Sequence, residues 1–159
     1  MQVFFSNFFF VIFSQSVLYK VAKNKLIQIN GDVKTSNDGY KSIIDKEFEL
    51  FHKIGHWELM WTNAVLCEWD ESIKYAKLLR EKTLHSPAIV TFLEAIFRYT
   101  KGRMINDQKM LDEAAKLFET VPTLRIRYLG KTMTLEKAVI VQSQRFFKNG
   151  KMLVAPVLV

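Results

Sequence analysis

A chain of 159 residues and 18.6 kDa has room for one domain and would crowd two. Its 49% hydrophobic and 25% charged residues, with 6 Gly and 3 Pro, lie in the ordinary globular range and exclude a disordered, collagenous or low-complexity chain. The formal charge of +7 is uneven: in residues 123–159 seven Lys and Arg stand against Glu136 alone, and the rest is close to neutral.

The chain opens on an apolar run in which Phe4, Phe5, Phe8, Phe9, Phe10 and Phe13 crowd the first thirteen residues. No basic residue precedes the run, so it does not read as a secretory signal. Val3 to Tyr19 is interrupted by Ser6, Asn7, Ser14, Gln15 and Ser16, short of the roughly 20 apolar residues of a membrane span. Residues 1–19 are therefore read as part of the first helix. The alternative is a membrane anchor, with Lys20, Lys23 and Lys25 meeting anionic headgroups.

Residues 20–151 show apolar positions recurring at three and four, the period of helices, and almost no strand alternation. Leu18, Val21, Ala22, Leu26 and Ile29 predict a helix stopping at Asn30-Gly31. A more polar helix containing Gly39 closes at Ile43-Ile44, and a longer one runs from Lys46 to about Cys67. Asp70 is expected to cap the next. Pro87 then opens a helix expected to end at Gly102, followed by Met110 to Thr120, a break at Val121-Pro122, and a last helix from Thr134 to about Lys148. Residues 152–159 form an apolar tail without the polar cap that usually ends a stacked array, which reads as a truncated array.

The turns at Gly31, Cys67 and Gly102 recur at offsets of 36 and 35, with Ser36 in step with Ser72 and with Ala114-Ala115 regaining step later. A period near 34 made of helix pairs predicts an all-α, tetratricopeptide-like α-solenoid of about three pairs. Trp57, Met60, Trp61, Trp69, Phe97 and Phe118 are its predicted core, and Trp61→Ala is expected to cost about 3–5 kcal/mol.

Catalytic chemistry finds little support. His52 and His56 lie four apart, yet a metal needs further ligands, and Glu58, Cys67 and His85 sit on other faces or segments. No Gly-x-Ser-x-Gly, cysteine-protease box or phosphate loop occurs. A base-stacking role for Trp57, Trp61 and Trp69 ranks below packing between helices. No catalytic residue, metal or cofactor is assigned. A single cysteine and the absence of Asn-x-Ser/Thr point to a reducing, intracellular, mainly cytoplasmic setting.

Residues 56–61, His-Trp-Glu-Leu-Met-Trp, resemble the Trp-Glu-Leu-Met-Trp box of the tetratricopeptide repeat protein 39 family, itself similar to the fungal inclusion body clearance proteins. Trp69, Tyr75-Ala76, Leu78-Leu79, Val121-Pro122-Thr123-Leu124, Gly130-Lys131, Glu136-Lys137 and Arg145-Phe146 follow in the family's order. Pro87 and Gly55-His56 depart from the pattern. The resemblance spans about Leu18 to Pro156 and only a middle-to-late part of a typical member, so a fragment or short form is expected. It implies a helical repeat protein that acts by interaction.

The function read from the sequence is a non-catalytic protein-binding or adaptor module. Its partner is an unidentified protein contacted through Arg125, Arg127 and Lys131, because arginine forks pair bidentately with carboxylates. An anionic membrane surface is the alternative partner, and nucleic acid ranks below both.

Overall fold

The computed structural model describes residues 16–46, 49–82, 86–126 and 132–153. Among them are seven α-helices and one 3-10 turn, with no strand: α1 (Val17–Ile29), α2 (Val33–Lys46), α3 (Glu49–Val65), α4 (Trp69–Lys82), α5 (Pro87–Ile105), α6 (Gln108–Thr120), the turn Val121–Leu124, and α7 (Thr134–Lys148). The Phe-rich residues 1–15 and the tail residues 154–159 lie outside the described residues.

Local chemistry sets most boundaries. Gly31, at φ +94°, turns the chain out of α1, and Asp32 Oδ1 accepts the Thr35 N–H at 3.1 Å to start α2. Asp107 does the same for α6, accepting from the Met110 N–H at 3.2 Å. Pro87 sits in the first turn of α5, where its missing N–H costs nothing. Two expectations are corrected. Asp70 does not cap α4 but lies inside its first turn beside Glu71, favourable for the helix dipole. Gly102 does not end α5: it is buried within the helix against Leu111, and the stop comes at Asn106, left-handed at φ 54°, with the Asp107 N–H bonded to the Gly102 carbonyl.

The first helices of the three successive pairs start at Val33, Trp69 and Gln108, spacings of 36 and then 39. The second copy is thus longer by three residues, and it contains α5, the longest of the described helices at 19 residues. Ser36 and Ser72, in step in the sequence, are both fully buried. The fold is all-α and tetratricopeptide-like.

The helices group into two compact units, residues 1–75 and 76–159, with the boundary inside α4. The first unit buries Tyr40, Ile43, Leu59, Met60, Ile73 and Tyr75. A polar seam accompanies this core. Ser36 Oγ donates to the Asn24 carbonyl at 2.8 Å, and Asn37 Nδ2 donates to Thr62 Oγ1 at 2.8 Å and Asn63 Oδ1 at 3.0 Å. Each buried polar group in these bonds is thereby satisfied, which fixes α2 on both its neighbours. Gly39 lets α1 approach, because a Cβ there would collide with the Asn24 amide. The α1 stripe differs from expectation: Leu18, Leu26 and Ile29 are largely exposed, and the helix buries Asn24 instead.

The second unit packs α5, α6 and α7 through small and aromatic residues. Ala88, Ala95, Ala114 and Ala115 are buried. The rings of Phe118 and Phe146 lie 4.4 Å apart, with Phe92 edge-on to Phe118 and Tyr99 edge-on to Phe146, both at 5.6 Å. Met60, Phe97 and Phe118 are buried, and Trp57 and Trp69 half-buried. Trp61 departs from its predicted core position. Leu59 and Met60 take the inward face of α3, so the Trp57–Trp61 pair falls on the neighbouring flank, and Trp61 remains 36% exposed.

Candidate functional site

The arrangement best suited to recognition is a charged groove in the unit of residues 76–159. On α5, Glu94 and Arg98 are four residues apart and share a face. On α6, Glu113, Lys116 and Thr120 follow at three and four, with Leu117 beside them. Arg80, near the end of α4, completes a groove of about 300 Å³.

Its centre is the Glu94 carboxylate, 1% exposed. Burying a carboxylate is costly unless it is paired and hydrogen-bonded. Glu94 is paired twice: Arg80 Nε donates to Oε2 at 2.7 Å and Arg98 Nε donates to Oε1 at 3.0 Å. Arg98 Nη1 reaches on to Glu113 Oε2 at 2.8 Å. One buried anion thus holds two guanidinium groups from different helices in fixed positions.

Because both arginines approach Glu94 through Nε, their outer edges stay available. Among the described residues, the terminal amino groups of Arg80 and Nη2 of Arg98 make no hydrogen bond. Arg80 is 34% exposed and Arg98 19%, and Lys116 stands exposed on the rim. Residues 76–159 carry fifteen Lys and Arg against seven Asp and Glu, whereas residues 1–75 carry eight against nine. The groove therefore sits in the cationic unit and offers directed N–H donors.

Of the predicted contact residues, Arg125 is described: it is exposed, and its Nε donates to Thr132 Oγ1 at 2.7 Å. Arg127 and Lys131 lie outside the described residues. The His52 and His56 rings are 6.2 Å apart and tilted, and His56 stacks on Tyr75 at 5.6 Å. Glu58 pairs with Lys25 at 2.7 Å, Cys67 is exposed at a turn, and His85 is outside the described residues. Among the described residues no three His, Cys, Asp or Glu side chains are placed to share an ion. Trp57 and Trp61 meet edge to face at 6.1 Å. No described helix is long and apolar enough to cross a membrane.

Sequence reasoning passed over Arg80, Glu94 and Arg98. A signal existed: Glu94 stands next to Leu93 and between Val90 and Phe97, an acid amid a buried stripe, with Arg98 at the spacing of a helical ion pair.

Comparison with known proteins gives the following. Residues 10–158 match the family model for Iml2/Tetratricopeptide repeat protein 39. The chain is 27% identical over 135 residues to the tetratricopeptide repeat protein ttc-39B of Caenorhabditis elegans, an alignment that covers 84% of this chain and 23% of that protein. The chain thus spans about a quarter of the length of this relative. No solved structure matches.

Proposed function

Because the chain belongs to the Iml2/Tetratricopeptide repeat protein 39 family, we propose that it is a non-catalytic module that binds another protein. The observation that carries this reading is the groove of residues 76–159, where Glu94 holds Arg80 and Arg98 with donors left over. Fixed donors on a rigid helical surface suit recognition, since little side-chain entropy is lost when a partner docks. The basic stretch of Arg125, Arg127 and Lys131 is proposed as a second contact. Exchanging all three for Glu is expected to weaken partner binding without loss of helicity by circular dichroism.

The test is sedimentation of the tagged chain, at native expression, in cell extract. The reading expects migration well above 18.6 kDa, resistant to nuclease and to mild detergent. Migration as a lone chain contradicts it. Loss of the complex with nuclease would point to nucleic acid instead, and loss with detergent to a membrane.

A further inference from the structure

The geometry points to the Arg80–Arg98–Lys116 groove as a carboxylate-recognition site for an acidic, extended peptide segment of a partner protein, an inference that rests on the protein-binding reading above. Three features select this ligand. Each guanidinium is anchored by Nε to the buried Glu94, which leaves the planar outer fork of Arg80 and Nη2 of Arg98 to donate outward. Paired parallel N–H donors match the two oxygens of a carboxylate. The groove's own charges do not cancel. Arg80, Arg98 and Lys116 exceed Glu94 and Glu113 by one, within a unit whose basic residues outnumber acidic ones by about two to one.

Glu113 tunes the site. Its carboxylate is 42% exposed and, among the described residues, is hydrogen-bonded to Arg98 Nη1 alone, so an incoming carboxylate can replace it there, whereas the buried Glu94 cannot leave. Half-buried Leu117 offers an apolar contact beside the cations. The fitting segment therefore carries Asp or Glu next to an apolar residue. A volume of about 300 Å³ takes a few side chains, not a folded domain.

The test uses fluorescence anisotropy of the full chain with a short fluorescein-labelled peptide of repeated Glu-Glu-Leu. Saturable binding, weakened about tenfold or more by Arg80→Gln and by Lys116→Glu, is expected, that being the effect of losing one charge-assisted contact. Glu113→Gln should tighten it. Arg145→Glu, an exposed charge change on α7, should leave it within about twofold. Equal weakening by Arg145→Glu would show diffuse attraction and overturn the site, as would no binding, or tighter binding to a matched oligonucleotide or to phosphatidylserine vesicles. If the sedimentation complex persists while the peptide fails, the site is wrong and the protein-binding reading survives. If both fail, that reading falls as well.

Discussion

Arg80 Nε lies 2.7 Å from Glu94 Oε2 and ties the end of α4 to the middle of α5 across fourteen residues of sequence. Glu94→Ala would leave this guanidinium without its counter-ion and Arg98 held by Glu113 alone. A loss of about 1–2 kcal/mol is expected, because both guanidiniums keep contact with water. Replacing the trio together, Arg80→Met, Glu94→Leu and Arg98→Met, should recover most of it in a urea melt while abolishing acidic-peptide binding. Recovery of binding with stability would mean that the trio is only structural.

Met60 and Trp61 are neighbours in sequence with different surroundings, one fully buried and the other 36% exposed. Met60→Ala is expected to cost about 2–5 kcal/mol, and Trp61→Ala about 1–2 kcal/mol because much of the indole already meets water. Paired denaturant titrations check the order. A larger loss at Trp61 would return that ring to the core.

Gly39 and Asn24 give a prediction in which two changes do not add. A methyl at Gly39 would meet Asn24 Oδ1, so Gly39→Ala should cost about 1–3 kcal/mol despite alanine's better helix propensity. Asn24→Ala should make room, so that the double variant is more stable than the sum of the single losses implies. Strict additivity would place the two residues apart.

Tyr40 predicts an alkaline transition. Burial, with the nearby Glu58 charge adding to it, pushes the phenol from 10.0 up to about 12. The unfolded chain therefore releases this proton first. Its contribution to stability is complete below pH 10 and is lost as pH rises towards 12. Tyr40→Phe should flatten that part of the pH–stability curve and change little at neutral pH. An unaltered slope between those limits would show an accessible phenol.

The helical class and most helix ends were readable because they depend on neighbours in sequence: Asn30-Gly31, Ser86-Pro87 and Asn149-Gly150 act through local backbone geometry. What failed was non-local. Glycine favours helix C-termini, but at Gly102 the lack of a side chain serves to admit Leu111. The spacing of Leu18, Leu26 and Ile29 told of a stripe without saying which face of α1 is covered. The groove eluded periodicity for the same reason. Charge composition counts Arg80, Glu94 and Arg98 singly, and only the folded chain brings the two cations to one anion.

The measurement closest to the central claim is site-specific photocrosslinking in cells, with a photoreactive residue at Thr120 on the groove or, in a second variant, at exposed Val141 on α7. A discrete protein crosslinked from Thr120 and not from Val141, and lost when Arg80→Gln and Lys116→Glu are added, is the predicted result. Crosslinks from Val141 alone, or from both sites regardless of the groove charges, would contradict the assignment of binding to this groove.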